Sequence, residues 1–591
     1  MTKPTSLDLP ATGPWTDNRM RRILELAGYD DAVPAVAWGD EGVTDAIHVA
    51  PVLLSSVSAD APIGLQIDRS RPAIDPTTPS DLEQLLAKAP LDDTGLLDRA
   101  RAAIARLKRF GLSMDTASDP HVAAPDPGYV LVLDQPRASP EVRLGKGTGS
   151  SFRETLAMAQ IENPGRPVYV LPCGPGGHYS AADAQGQVSI LEAPICRWRL
   201  FDGAVGVYTI SAPLGFEAIL AGHHPRVFGQ PFYGGWGLTQ DEQPVARRTR
   251  SLTRAQLFAA VMILYPVWYD PLLDEICDLE RALDLLTADH RAFHDDKRGY
   301  VTVARPPNSG DDWSRIFGRQ VPVQSVESSP ETIELAKERG MTVLSSSASR
   351  DPDMELATAQ ARVPLRWVEE GFLLPVQGSA PVSMLLEECW PHNDPEEPSR
   401  LEHLIAASDD LPDLDLQRAE RVVVRLITLS DAMAAGPPEQ PEEPLVAVLG
   451  SRDAHRDQQV VLEARNAHPD ARILYRPEGL HAAIDGVEEV LPEASVAGLL
   501  TVTDAIWTYD SLAGFEALLR GAKVTCTGVP FYAGWGLTRD KGAVPSRRRT
   551  GATLRGLAHA ALVDYPRYAD PQTGQPWPVE DVLDHLEKLI Q

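Results

Sequence analysis

Two segments that lie 299 residues apart have almost the same sequence, and this internal repeat constrains the fold more than any other feature. Residues 229–239 read GQPFYGGWGLT and residues 528–538 read GVPFYAGWGLT, with 9 of 11 positions identical. Further blocks match in the same order: LGFEAILAG (214–222) with AGFEALLRG (513–521), YPVWYDP (265–271) with YPRYADP (565–571), and DPTTPSDLEQLL (75–86) with DPEEPSRLEHLI (394–405). The chain of 591 residues is therefore predicted to be a tandem duplication of one module.

Each repeat divides into two parts. Residues 80–111 carry apolar side chains at helical spacing, and a linker rich in Pro and Asp then leads to the apolar strand YVLVLDQ. Beyond it, short apolar strands alternate with helical segments, which is typical of a parallel sheet. The sequence predicts an α/β protein in which each module has two Rossmann-like domains beside a cleft. The predicted domains are 1–120, 127–290, 310–436 and 443–591.

Charge and composition disfavour several classes of function. Lys and Arg total 55 against 83 Asp and Glu, a formal charge of −28, so most of the surface repels phosphate backbones and no nucleic-acid partner is expected. The five cysteines include no C-x-x-C pair, which favours free thiols in a reducing compartment. Neither a secretory signal nor an uninterrupted apolar run of about 20 residues is present. We expect a cytoplasmic protein that at most attaches to a membrane surface.

Two strand-to-helix turns are candidates for nucleotide binding. VGVYTI leads into a helix that contains Gly215 and Glu217, and DAIWTY leads into a helix that contains Gly514 and Glu516. Parallel sheets bind ligands at the carboxyl ends of their strands, where helix amides attract phosphate and a carboxylate can hold ribose hydroxyls. The alternative is that the glycines only allow close packing of strand and helix.

The repeated glycine and aromatic loop is a candidate for holding a sugar or base. Its glycines permit close backbone approach, and its aromatic side chains offer flat faces with polar tips. The alternative is a rigid aromatic plug that closes the sheet. The loop residues concerned are Tyr233 and Trp236 in the first copy, and Pro530, Tyr532 and Trp535 in the second.

An arginine pair follows each loop, Arg247 and Arg248 in the first copy and Arg547 and Arg548 in the second. Arginine suits bidentate contacts with carboxylate or phosphate, so these pairs indicate either an anion site or a solvated face. His290 and His294 have the spacing of metal ligands on a helix, but they lie in a polar stretch and no metal is expected.

The combination of GFEA, PFY(A/G)GWGLT, an arginine pair, YP and DP resembles the capsule polysaccharide synthesis family. Its duplicated layout is similar to the two-module retaining β-Kdo transferases of that family. The resemblance implies paired GT-B-like modules, a CMP-Kdo donor, a lipid-linked Kdo acceptor, no metal or other cofactor, and attachment to the inner face of the cytoplasmic membrane. It also implies capsule assembly and export proteins as partners.

Several positions depart from the family pattern. Asp134 and Gln135 are kept after the first strand of the donor half in module one, but Ser139 stands where the family has an aspartate implicated in catalysis. LPCGPGG (171–177) replaces the family motif K-T-H-P, and Ala212 occupies a serine position. Module two keeps more of the pattern, although Arg476 stands in place of the family lysine and Glu478 in place of the family histidine. Its retained residues are Glu369, Gly371, Phe372 and Ser511.

These departures predict unequal modules. The leading hypothesis is a dual-module β-Kdo glycosyltransferase in which module one is degenerate, with Asp453 and Asp134 as weak candidates for catalysis. Whether the chain is an enzyme is left open, because expected catalytic residues are substituted in both modules. The alternatives are a non-catalytic scaffold or regulator of capsule assembly and export, and a transferase for a different nucleotide sugar.

Overall fold

The computed structural model describes residues 18–29, 36–38, 46–58, 61–174, 176–303, 316–347, 350–373, 381–432, 444–478, 484–548 and 551–590. They form two compact units, Met1–His294 and Asp295–Gln591, which we call module one and module two. Each unit contains two sheets flanked by helices. The predicted tandem duplication of an α/β module is therefore confirmed. The four domain ranges stay predictions, and their limits at 310, 436 and 443 lie outside the described residues.

The elements of module one follow one another in the order typical of an α/β protein. Its strands are β1 (Val36–Trp38), β2 (Ile47–Pro51), β3 (Gly64–Asp68), β4 (Tyr129–Leu133), β5 (Val168–Leu171), β6 (Val188–Ile190), β7 (Ala204–Thr209), β8 (Arg226–Val227), β9 (Gln240–Asp241), β10 (Pro266–Asp270) and β11 (Glu275–Cys277). Its helices are α1 (Asn18–Leu26), α2 (Asp81–Lys88), α3 (Thr94–Phe110), α4 (Pro140–Leu144), α5 (Gly149–Glu162), α6 (Arg197–Gly203), α7 (Leu214–Ala221), α8 (Arg254–Phe258) and α9 (Leu279–Asp296).

The predicted helical stretch 80–111 consists of two helices. Ser80 caps α2, and the helix ends at Ala89, whose extended ψ of 146° suits the residue before Pro90. Asp93 caps α3, and Gly111 ends it in the left-handed region with φ of 69°. The break follows from the chemistry of proline, which disfavours helical backbone at the residue before it.

The two sheets of module one differ in type. The second sheet, β6-β5-β4-β7-β8-β9, is entirely parallel and has the strand order of a Rossmann fold. Its central strand β4 is fully buried, as the apolar run YVLVL predicts. The first sheet, β1-β2-β3-β10-β11, is mixed: β1 and β2 pair parallel, and the other neighbouring strands pair antiparallel, including β10 and β11 from the end of the module.

Module two repeats this arrangement. Its strands are β12 (Tyr300–Val303), β13 (Gln324–Val326), β14 (Thr342–Ser346), β15 (Leu365–Glu370), β16 (Ser383–Glu387), β17 (Leu445–Leu449), β18 (Arg472–Arg476), β19 (Glu489–Val490), β20 (Ala505–Thr508), β21 (Val524–Cys526), β22 (Arg539–Asp540), β23 (Arg567–Ala569) and β24 (Pro576–Trp577). Its helices are α10 (Ser329–Arg339), α11 (Pro352–Ala361), α12 (Arg400–Ala406), α13 (Asp413–Ala432), α14 (Ala454–Ala467), α15 (Val496–Val502), α16 (Leu512–Leu519), α17 (Leu554–His559) and α18 (Val579–Ile590).

The second sheet of module two, β19-β18-β17-β20-β21-β22, is again parallel and in Rossmann order. The first sheet, β13-β12-β14-β15-β16-β23-β24, is mixed. We call the parallel sheet of each module its donor sheet, and the ends of β4, β5 and β7, or of β17, β18 and β20, its carboxyl edge. That edge is where a Rossmann-type sheet binds ligands.

The last helix of each module is tied to the long helix before the donor sheet by equivalent ion pairs. In module one Arg99 on α3 pairs with Glu280 on α9 at 2.7 Å. In module two Arg418 on α13 pairs with Glu580 on α18 at 2.8 Å. Each pair joins residues far apart in sequence and connects the same two helices in both modules.

Candidate functional site

The carboxyl edge of module one is closed by its own loops. Asp134 directly follows β4, and its Oδ1 accepts hydrogen bonds from the backbone N–H of Gln135 at 2.8 Å and of His178 at 3.0 Å. Pro136 and Gly177 form an antiparallel bridge between the loops that follow β4 and β5. Burial raises the pKa of the Asp134 carboxyl above its ordinary value. Asp134 therefore holds two loops together in this structure, and its catalytic role stays a prediction.

The end of β7 adds a second connection across this edge. The backbone N–H of Ser211 donates to Oε1 of Gln135 at 2.9 Å, and both residues are buried. Ala212 begins the turn into α7 and has no hydroxyl to offer a ligand. The edge of module one thus contributes its polar groups to the protein's own loops.

The carboxyl edge of module two has a different chemistry. Ser511 caps α16, and its Oγ accepts from the N–H of Ala513 at 3.2 Å. The same hydroxyl donates to Oε2 of Glu478, which directly follows Pro477 after β18, at 3.2 Å. Glu478 Oε1 accepts from the exposed Arg452, which follows β17, at 3.3 Å. Side chains from three neighbouring strand ends therefore meet here.

A second charged group lies at the same edge. Arg456 on α14 contacts Asp510 at 3.5 Å and Asp453, the cap of α14, at 3.4 Å. Asp453 is half-exposed, and its Oδ1 accepts from the N–H of His455 at 2.9 Å. Burial raises the pKa of the Asp510 carboxyl. The predicted residue Asp453 is thus exposed at this edge, and its catalytic role stays a prediction.

Sequence reasoning missed Asp510 and Arg456 as members of this group. Asp510 stands between β20 and α16, the position at which the carboxyl edge of a parallel sheet meets a helix start, and that signal could have identified it. Arg476, predicted to bind, instead donates its Nε to the carbonyl of Ala494 at 2.8 Å. Its binding role stays a prediction.

The repeated aromatic loops pack inside the protein. The side chains of Tyr233, Trp236, Tyr532 and Trp535 are all buried. Tyr233 donates its hydroxyl to the carbonyl of Ala212, and Tyr532 to that of Ser511, both at 2.7 Å. This packing is that of a rigid aromatic plug, the alternative to a loop that holds a sugar or base. Contact of these four side chains with a sugar or base stays a prediction, because their rings face other side chains here.

The glycines at the starts of α7 and α16 make this packing possible. A Cβ atom on Gly215 would meet the Tyr233 hydroxyl, and one on Gly514 would meet the Tyr532 hydroxyl. The tyrosine can reach the strand-to-helix turn only because no side chain is present at that position. A direct role of either glycine in nucleotide binding stays a prediction.

The arginine pairs have carboxylate partners within the protein. Arg247 and Arg248 both pair with Glu83 on α2, Arg248 at 2.9 Å. In module two, Arg547 and Arg548 pair with Glu402 on α12, Arg548 at 2.8 Å. Both glutamates are buried and bind the arginines as an anionic ligand would. An additional ligand contact of the arginines stays a prediction.

The two helix glutamates differ between the modules. Glu217 is buried, and its Oε2 accepts from Ser113 Oγ at 2.9 Å and from the N–H of Met114 at 3.1 Å, while Oε1 has no hydrogen-bond partner among the described residues. Burial raises the pKa of Glu217 to about 7. Glu516 instead accepts from Ser430 at 2.7 Å and from Arg520 at 3.0 Å. A ribose contact stays a prediction for both.

The retained family residues of the first sheet in module two gather beside the aromatic loop. Phe372 stacks on Phe531 with ring centroids 4.8 Å apart, and it also contacts the ring of His392. His392 Nδ1 lies 3.8 Å from Glu369, and burial lowers the His392 pKa. Gly371 pairs its N–H with the carbonyl of Ser383. The loop of the donor sheet therefore packs directly against the first sheet.

The rings of His290 and His294 on α9 lie 4.3 Å apart. Within the described ranges, no group of three His, Cys, Asp or Glu side chains has the arrangement of a metal site. None of the helices that the structure describes combines the length and the apolar character needed to cross a membrane.

Comparisons with known proteins agree with the repeat. The model of the capsule polysaccharide biosynthesis protein family matches residues 100–267 and 468–568, one region in each module. The capsule polysaccharide modification protein LipA of Neisseria meningitidis serogroup B is 29% identical over 557 residues, covering 85% of this chain and 78% of the relative.

Two solved structures of Thermosulfurimonas dismutans KpsC are also similar. The one described as a β-Kdo 2,4 transferase is 27% identical, covers 43% of this chain and 86% of its own, and has a TM-score of 0.41. The one described as a β-Kdo 2,7 transferase is 25% identical, covers 49% of this chain and 99% of its own, and has a TM-score of 0.42. The family model matches one region in each module and the LipA relative matches most of the chain, so this chain is similar to the capsule polysaccharide biosynthesis family in both modules.

Proposed function

We propose that the chain is a glycosyltransferase of capsule polysaccharide biosynthesis whose donor site lies in module two. The proposed donor is CMP-Kdo and the proposed acceptor is a lipid-linked Kdo saccharide. The observation that carries the proposal is the difference between the two carboxyl edges. Asp134 joins two loops across the edge of module one, whereas at the edge of module two Arg452 and Asp453 are exposed and the buried Ser511 hydroxyl contacts the partly exposed Glu478.

The groups at this edge fit the chemistry of transfer from a nucleotide sugar. The departing nucleotide carries a phosphate, which arginine, hydroxyl and helix N–H donors stabilise as negative charge develops. A retaining transfer also requires a carboxylate as nucleophile or as acid and base. Asp453 is the candidate, because it is half-exposed and lies beside Arg456.

In this proposal module one has lost its donor site. Its edge lacks the hydroxyl of Ser511, since Ala212 occupies the matching position, and its Asp134 accepts backbone N–H groups. This supports the degenerate module expected from the sequence.

A non-catalytic scaffold for capsule assembly and export is the second candidate. The observation in its favour is the presence of Glu478 and Asp510 at the edge of module two, where carboxylates repel a nucleotide phosphate. A transferase for a different nucleotide sugar would use the same edge. Thermal-shift measurements separate these alternatives: stabilisation by a UDP- or GDP-sugar and not by CMP favours the different donor.

The test of the main proposal is CMP release from CMP-Kdo in the presence of a Kdo-primed glycolipid. We expect turnover by the wild-type chain, a loss of at least 100-fold in Asp453→Asn, and wild-type turnover in Asp134→Asn, which keeps the size of the side chain. Turnover that depends on Asp134 would refute the degenerate module. Absence of turnover, combined with retention of capsule assembly proteins on the immobilised chain, would favour the scaffold.

Attachment to the inner face of the cytoplasmic membrane and contacts with export proteins belong to the same proposal. Sedimentation with vesicles that contain phosphatidylglycerol tests the first. Binding to neutral and anionic vesicles alike, or to neither, would contradict an attachment driven by the anionic acceptor lipid.

A further inference from the structure

In module two, a series of contacts connects helix α12 with the carboxyl edge, and it begins at the ion pair of Arg548. Glu402 is a buried residue of α12, and its Oε2 accepts from Arg548 Nε at 2.8 Å. The side chain of Arg548 is only 2% exposed, and its Nη1 donates to the carbonyl of Pro530 at 2.8 Å and to that of Ala533 at 3.4 Å. One guanidinium thus joins α12 to the glycine and aromatic loop.

The glycine and aromatic loop in turn contacts Ser511. In the sequence, Tyr532 lies between the two residues whose carbonyls Arg548 binds. Its buried hydroxyl donates to the carbonyl of Ser511 at 2.7 Å. Ser511 is the cap of α16 and offers its Oγ to Glu478 at the carboxyl edge. The contacts of Arg548 and Tyr532 are buried in a low-dielectric interior, where loss of one partner leaves the other unsatisfied, and the contact of Ser511 with Glu478 is partly buried.

We infer that Glu402, Arg548 and Tyr532 are positioning residues for the donor edge of module two, which set the place of Ser511 through the loop without touching the ligand. The inference deepens the proposed function and rests on it for the identity of the ligand. Phe531, next to Tyr532, stacks on Phe372, which follows a strand of the first sheet, so the same loop also contacts that part of the module.

Module one contains the same chain of contacts with a different end. Glu83 pairs with Arg248, Arg248 donates to the carbonyl of Gly234 at 3.0 Å, and Tyr233 donates to the carbonyl of Ala212 at 2.7 Å. Since alanine has no side-chain group for a ligand, the chain of contacts there has a packing role only. Substitutions in module one are therefore matched controls for those in module two.

The experiment compares Glu402→Gln and Tyr532→Phe with Glu83→Gln and Tyr233→Phe in the full-length chain. The unfolding temperature should fall by a similar amount in Glu402→Gln and Glu83→Gln, and likewise in Tyr532→Phe and Tyr233→Phe. Isothermal titration with CMP should show at least tenfold weaker binding for Glu402→Gln and about fivefold weaker binding for Tyr532→Phe. The two module-one variants should bind CMP with wild-type affinity.

Wild-type CMP affinity in both module-two variants would overturn the inference and leave the proposed function in place. Failure of the wild-type chain to bind CMP would instead contradict the proposed function. In that case hydrogen exchange of the peptide 508–514 decides the inference: faster exchange in Glu402→Gln supports it, and unchanged exchange overturns it. Glu463→Gln, which changes a surface carboxylate paired with Lys541, is the control for a simple change of charge.

Discussion

Replacing Glu217 by glutamine should change how the stability of module one depends on pH. The Glu217 carboxyl is buried at the start of α7, and burial raises its pKa to about 7 from an ordinary value of 4.5. The native state therefore binds this proton more tightly than the unfolded state does. The resulting stabilisation is complete below pH 4.5 and is lost as the pH rises through 7.

The magnitude follows from the difference between the two pKa values. A shift of one pKa unit corresponds to about 1.36 kcal/mol, so the whole effect of Glu217 is about 3 kcal/mol, and most of it falls between pH 5 and pH 8. Glutamine keeps an oxygen that can accept from Ser113 and Met114, but it does not titrate. The free energy of unfolding of wild type should thus fall by about 2–3 kcal/mol relative to Glu217→Gln over this range.

Urea unfolding of the full-length chain at pH 5 and pH 8 measures this difference, with hydrogen exchange of peptides from residues 129–171 reporting on module one. Glu516→Gln is the matched substitution in module two, where it removes an ion pair with Arg520, and it should destabilise the protein at pH 8. A difference between wild type and Glu217→Gln that stays the same at both pH values would refute the reasoning.

Two further substitutions test the carboxyl edge and the loop of module two. Glu478→Gln removes a negative charge that accepts from Ser511 and should strengthen CMP binding about tenfold, or about 1.4 kcal/mol, in isothermal titration; equal affinities would contradict this. Gly514→Ala places a methyl group against the Tyr532 hydroxyl and should lower stability by about 1–3 kcal/mol in urea unfolding. Gly149→Ala, where a Cβ meets no atom within 4 Å, is its control, and an equal effect of the two would show that close packing is not the cause.

Much of the fold could be predicted from the sequence because the signals were local. The repeat predicted two modules. The alternation of apolar strands with helical segments predicted a parallel sheet, which the Rossmann strand order confirms. The antiparallel pairing of β10 with β3 could not be predicted in this way, since it joins residues about 200 positions apart in the chain. Periodicity indicates that a segment is a strand but not which strand it pairs with.

The candidate site shows the same division. The sequence contained both the arginine pairs and the block DPTTPSDLEQLL, but Arg247 and Glu83 are 164 residues apart, and no local pattern joins them. Ser511 and Asp453 were identified through the family resemblance, and the structure places each at the start of a helix that follows a strand of the donor sheet. Asp510 stands at such a place too and was missed because no family motif drew attention to it.

The amino-acid sequence by itself determined that this protein is a duplicated α/β chain, because the repeated blocks and the spacing of apolar residues can be read from the order of residues along the chain. Only the tertiary structure decided that the aromatic loops are buried, that the arginines pair with Glu83 and Glu402, and that Asp134 joins two loops across one of the two edges. The reason is physical: whether a polar side chain meets a ligand or another side chain depends on which distant segment packs against it.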